Sequence, residues 1–180
     1  VMSNFSVVAG ASTLPVEVRE INGENKSFKQ SQLVSLDDSF FESTEWRMAH
    51  FDPKFGTSDK EIWKSLLENP DLVVANATII PSGDPFGPPD RSFKTSYIES
   101  GDSMEMESFT ISMRKMRGDS EDKDLTVIGV IERLASGTGF GAAGATFYST
   151  NSLASIIAGQ NVSYDTFYFK LNNLSLIHIS

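Results

Sequence analysis

The segment Ser58–Pro70 constrains this chain more tightly than any other stretch, because it specifies where a helix begins, which side it buries and where it stops. Ser58-Asp-Lys-Glu61 fits a capping box. The serine hydroxyl accepts the backbone N–H three residues on, and the glutamate reaches back to the serine N–H, so two orphan donors of the first turn are satisfied. Ile62, Trp63, Leu66 and Leu67 then share one helical face, the spacing that presents an apolar stripe to a core. Asn69-Pro70 ends the helix, since proline pushes its predecessor out of the helical region. The run Leu72–Ile80 that follows is rich in valine and isoleucine and reads as a buried strand.

Other elements are shorter. Leu14–Ile21 and Ser27–Leu36 alternate in polarity around Asn22-Gly23, which predicts a hairpin. Asp37-Asp38 caps a short apolar turn at Phe40-Phe41. Pro81–Asp90 holds four of the seven prolines and is expected to be an exposed loop. Phe109, Ile111 and Met113 alternate with Ser108, Thr110 and Ser112, predicting a strand with one wet face. A turn over Gly118–Lys123 leads to a second apolar strand, Leu125–Ile131. Glycines between Gly137 and Gly144 loosen the chain before a strand at Thr146–Tyr148. A helix capped by Thr150 or Ser152 runs to Gly159, and an aromatic strand covers Tyr164–Leu171. The expected class is α+β, with mixed and antiparallel sheets, a few short helices and room for two lobes.

Composition excludes several function classes. The net charge of −9 over 180 residues opposes nucleic-acid binding, which needs clustered lysine and arginine to release counterions from phosphates. With no cysteine, a disulfide framework and a thiolate zinc site are both absent. No stretch approaches the roughly 20 apolar residues of a membrane-spanning helix. The opening on Val1, with serine, alanine and glycine up to Thr13, reads as the inside of a longer protein. Leu174–Ser180 is similar to a translated sequencing-adapter end and is set apart from residues 1–173 as an artefact of processing, the alternative being an apolar strand that continues Lys170-Leu171.

The apparent sites carry little chemistry. Gly139-Phe-Gly-Ala-Ala-Gly144 has dinucleotide-loop spacing but leads into the β-forming Ala145–Tyr148 instead of a helix. A calcium loop starting at Asp119 would need glycine at its sixth position and glutamate at its twelfth; Asp124 and Val130 stand there. His50 has no nucleophile elbow near it and reads as a partly exposed loop histidine before Phe51-Asp52-Pro53. The glycosylation patterns at Asn4, Asn25, Asn76 and Asn161 are short enough to arise by chance. Trp46, Trp63 and the thirteen phenylalanines are core formers first, and an apolar cleft is the alternative use of the same residues. No catalytic, cofactor-binding or metal-binding residue is singled out, and no cofactor is expected.

The order of these pieces resembles the extracytoplasmic domain of FtsX-like ABC transporter permeases, the MacB-type periplasmic core. The resemblance runs from about Leu14 to Leu171. It rests on Asp37-Asp-Ser-Phe-Phe41 after a hairpin, Ile62-Trp63 in a helix, Gly101-Asp102 before Ser103-Met-Glu-Met106, Val127-Ile-Gly-Val130, and Thr146-Phe-Tyr-Ser-Thr150 entering a capped helix. The Pro81–Asp90 loop and the Gly137–Gly144 stretch are irregular against that pattern.

The resemblance implies a MacB-core-like fold in a segment on the outer side of the cell membrane. It implies a non-enzymatic permease domain whose partner is a cytoplasmic ABC ATPase, reached through membrane helices outside this chain, in a dimeric transporter. An external lipid, peptide or protein would be its other contact. The absence of a Walker A lysine motif suits a permease. Two rivals stand beside this reading: a free-standing extracellular solute-binding or adhesion domain, and a secreted hydrolase, which would need a clustered catalytic constellation.

Overall fold

A sixteen-residue strand organises the protein. In the computed structural model, which describes residues 5–81, 92–99, 104–117, 121–132 and 144–171, β1 (Phe5–Glu20) pairs with three neighbours along its length. Its first half pairs with β8 (Thr166–Leu171), its middle with β2 (Lys29–Leu36), and its end with β5 (Phe109–Lys115). Between them come α1 (Asp38–Ser43), β3 (Met48–Phe51), α2 (Asp59–Glu68), β4 (Leu72–Asn76), β6 (Lys123–Ile131), β7 (Thr146–Thr150) and α3 (Asn151–Ala158). All eight strands form one mixed sheet. Within it the pairings β1–β2–β7–β4–β6–β5 return to β1 and close a ring, while β3 and β8 lie off it. The α+β class expected from the sequence is the class observed, with a mixed sheet and three short helices among the described residues.

Alternation along the strands divides the core in two. Val18, Leu33, Val73, Ile111, Val127 and Phe147 belong to one cluster, to which every strand of the ring contributes and onto which Leu153, Ala154 and Ile157 of α3 pack. Their neighbours Val34, Val74, Ile128 and Tyr148 point the other way and meet Phe40 and Phe41 of α1 and Ile62, Trp63 and Leu66 of α2. A side-chain period of two makes this division unavoidable when both faces are covered.

A break in the alternation of the core strands lies in Val127-Ile-Gly-Val130. Val73 opposes Val127 but Val74 opposes Gly129, so Ile128 is an extra residue and β6 is bulged. A Cβ on Gly129 would stand 3.2 Å from Met48 Sδ and 3.4 Å from Ile62 Cγ2. Glycine there lets β3 and α2 approach the sheet.

Most local expectations hold. Asp37 caps α1, and α2 occupies the expected span with Ser58 as its N-cap and Asn69 as its C-cap. The capping box, however, is displaced. Ser58 Oγ accepts the Glu61 N–H, but the Glu61 carboxylate takes the N–H and hydroxyl of Thr57, one residue before the cap. α3 ends at Gly159 in the left-handed conformation (φ 69°), which glycine adopts without steric cost. Thr150 stands at the N-cap position of α3, but its hydroxyl bonds the Ser152 hydroxyl and not the helix backbone.

Five expectations are corrected. The strand through Ile80 stops at Asn76, whose side chain binds the Thr78 hydroxyl, the Thr146 N–H and the Gly144 carbonyl, and a 3-10 turn follows at Ala77–Ile79. The first hairpin is wider than an Asn-Gly turn, because its ladder ends at Val18–Lys29. The small residues before Thr13 are strand: Ala9 and Ala11 are buried and pair with β8. Ser112 faces no water: it is buried between Arg19 and Asp124, its partners on the two neighbouring strands. His50 lies in a strand, not a loop. The Gly101-Asp102 turn, the Asp119 and Gly139–Gly141 positions, Asn4, residues 82–90 and Leu174–Ser180 fall outside the described residues.

Candidate functional site

Two buried carboxylates support a cleft beside the sheet. Asp52 follows β3 directly and is 1% exposed. Its backbone N–H bonds the Ile128 carbonyl, which continues the β3–β6 pairing, and its side chain accepts the N–H groups of Lys54 (3.0 Å) and Ser108 (2.9 Å). Burial alone would raise its pKa, but those N–H donors, the Ser108 hydroxyl and the Lys54 charge outweigh it and hold the group below its ordinary value. Asp52 thereby fixes the start of β5 against the end of β3. The strand edge is extended further by Met104–Met106: Phe51 N–H donates to the Met104 carbonyl and Met106 N–H to the Phe51 carbonyl, both at 3.0 Å.

Glu20 closes β1 and is also 1% exposed. It opposes Ile111, so its side chain lies on the buried face. Four donors satisfy it: the N–H of Asn25 (2.9 Å), the Thr95 hydroxyl (3.0 Å), and the N–H (2.6 Å) and hydroxyl (2.7 Å) of Ser96. A carboxylate buried with this many donors is held without a counter-cation. The network places Tyr97 and Ile98. The Tyr97 ring stacks on Phe109 at 4.8 Å with 17° between planes, yet stays 41% exposed. Partial burial, with a contribution from the Glu20 charge, raises its phenol above the ordinary value.

Between these supports lies a cleft of about 300 Å³ lined by His50, Tyr97, Ile98, Glu105, Met106, Glu107 and Ser108. Its chemistry is that of a contact surface: an aromatic ring, a thioether and two carboxylates at the edge of a sheet. His50 reaches it from β3, where it pairs with Val130. Among the described residues no group of three or more histidine, aspartate or glutamate side chains is placed to hold a metal. Nor does any helix among them have the length and apolarity to cross a membrane.

Among the described aromatic residues weighed as groove formers, Trp63, Phe40, Phe41, Phe51, Phe93, Phe109 and Phe147 are core, Trp46 packs half-buried against them, and Phe167 is exposed. Trp63 is fully buried, donates its indole N–H to the Trp46 carbonyl at 3.1 Å, and sits in an edge-to-face cluster with Phe40, Trp46 and Tyr148. Of the glycosylation patterns, Asn76 is consumed by strand termination and Asn25 donates its amide to the Lys94 carbonyl, while Asn161 is exposed. The signal for Glu20 was present in the sequence, because Val16, Val18 and Glu20 alternate onto one face. The cleft had no such signal; its residues are drawn from three separate segments.

No family model matches the chain, and no curated protein matches it. Among solved structures, the extracellular domain of the noncanonic ABC-type transporter YknZ from Gram-positive bacteria superposes on 95% of this chain and 67% of its own, with a TM-score of 0.51 at 11% identity. The fold is that of an ABC-transporter extracellular domain. The architecture implied by the ordered sequence pieces is thus the one present.

Proposed function

We propose that this chain is the extracytoplasmic domain of an FtsX-like ABC transporter permease. The observation that carries the reading is the superposition on an ABC-transporter extracellular domain over 95% of the chain, joined by a sequence order that resembles the same family. In this reading a cytoplasmic ATPase hydrolyses ATP, and membrane helices outside the chain carry the motion outward in a dimeric transporter. The domain then moves as a packed body and exchanges contacts with an external lipid, peptide or protein, so that the substrate or partner biases one of two arrangements. The domain itself does no bond chemistry. The whole protein would reside in the cell membrane, with this segment outside.

The absence of cysteine makes the location directly testable. Lys64 lies on the exposed side of α2, so Lys64→Cys in the full-length protein introduces a single reactive thiol within this domain. A membrane-impermeant maleimide is expected to label it in intact cells, and the detergent-extracted protein is expected to copurify with an ABC ATPase. Labelling only after lysis would overturn the location. Labelling in intact cells of a protein that no detergent is needed to extract, with no ATPase bound, would favour the solute-binding or adhesion domain instead.

A further inference from the structure

Asn22-Gly23 marks the loop between β1 and β2, and Asn22 is the one asparagine in the chain that glycine follows. The backbone nitrogen after an asparagine can attack the side-chain Cγ, and glycine, lacking Cβ, obstructs that approach least. The attack forms a bond from Gly23 N to Asn22 Cγ and expels the side-chain nitrogen as ammonia. The cyclic imide then takes up one water and opens at either carbonyl, giving aspartate or isoaspartate. Neither an oxidant nor a reductant is required.

We propose that Asn22 is a site of spontaneous conversion to aspartate and isoaspartate, and that conversion loosens Thr95–Glu99, one wall of the cleft. Asn22 is exposed and lies in a run of bends beyond the last β1–β2 pair, Val18–Lys29. The backbone there is not held in a ladder that would keep Gly23 N from Asn22 Cγ. Gly23 cannot be exchanged for a slower neighbour, because a Cβ would stand 2.1 Å from Glu20 Oε2 and 2.7 Å from Ser96 Oγ. That carboxylate is pinned by four donors and has nowhere to retreat. The same packing that requires glycine therefore preserves the labile pair.

The consequence follows from what the loop holds. Glu24 N–H donates to Ser96 Oγ (3.2 Å), Asn25 N–H to Glu20 Oε2 (2.9 Å), and the Asn25 amide to the Lys94 carbonyl (3.0 Å). Isoaspartate at position 22 adds a methylene to the main chain between Glu20 and these donors, and either product adds a negative charge two residues from Glu20. All three bonds shift, and with them the segment carrying Tyr97 and Ile98.

The test ages the purified chain, Asn22→Ser and Asn22→Gln in mildly alkaline buffer. Peptide mapping and labelling by an isoaspartyl methyltransferase measure conversion; amide hydrogen exchange measures the segment. The Asn22 peptide is expected to convert several-fold faster than the peptide with Asn161, which is exposed but followed by valine. Exchange at Thr95–Glu99 should rise about tenfold on ageing the native chain and stay unchanged in whichever variant folds. Equal conversion at Asn22 and Asn161 would overturn the site. Conversion with unchanged exchange would overturn the link to the cleft wall.

Discussion

Glu20 grips Ser96 twice: one carboxylate oxygen takes its backbone N–H at 2.6 Å and the other its hydroxyl at 2.7 Å. A residue at the end of the first strand thus fixes one 76 positions away, and through it the exposed ring of Tyr97.

Glu20→Gln keeps the shape but turns one acceptor into a donor that faces other donors. The variant is expected to lose about 1–3 kcal/mol of stability, read by urea unfolding. Glu24→Gln, on an exposed residue, should change it by less than about 0.5 kcal/mol. Equal effects would show that the Glu20 network contributes nothing beyond surface charge.

Gly10 lies under the Tyr164 ring, where a Cβ would stand 2.7 Å from two ring carbons. Gly10→Ala should cost about 1–3 kcal/mol as an overpacked contact. In the double variant Gly10→Ala/Tyr164→Ala the loss should be smaller than the sum of the single losses, because the clash goes with the ring. Strict additivity in thermal or urea unfolding would contradict the packing described.

Trp63 is the largest fully buried side chain, on the side of the sheet covered by α1 and α2. Trp63→Ala is expected to destabilise by about 3–5 kcal/mol. Trp63→Phe should cost less, about 1–3 kcal/mol, since it keeps a ring in the cluster but loses the indole donor to the Trp46 carbonyl. Because the chain has two tryptophans, fluorescence of Trp63→Phe reports Trp46 alone and checks that the aromatic cluster survives.

Asp52 sets part of the acid stability. Its folded pKa lies below the unfolded reference of 3.8, so its contribution is complete above that value and is lost as pH falls through the folded pKa. Unfolding followed from neutral pH into the acid range should show a steeper fall below about pH 4 in the native chain than in Asp52→Asn. Asp52→Asn should already be less stable at neutral pH, since one acceptor of the Lys54 and Ser108 N–H groups is replaced. Parallel acid limbs would remove Asp52 from that role.

What was legible in the sequence was local. The α2 span needs only the Ser58 cap, a stripe three and four residues apart and Asn69-Pro70. The β5–β6 pair needs two alternating runs and a turn, and the end of α3 needs Gly159. What escaped depends on distant neighbours. β3 is four residues long and exists because Met48–Phe51 finds the edge of β6, about 80 positions on. The first half of β1 looks too small-residued to be core until β8 covers it. Asn76 ends a strand through bonds to Gly144 and Thr146, which no window around it contains. The cleft is the extreme case, since Glu105 and Glu107 read as ordinary surface charge until β3 and Tyr97 are set beside them.

The register of β1 against β8 has a mechanical meaning. Phe5 pairs with Leu171, and the strands run antiparallel from there. Phe5 and Leu171 therefore lie side by side, across one ladder. Tension applied between those two points would peel β1 from β8 one rung at a time, and would not shear all their bonds together. The first few rungs would yield at low load while the ring behind them stayed shut. The β1–β8 ladder is thus a compliant clasp on a stiff body.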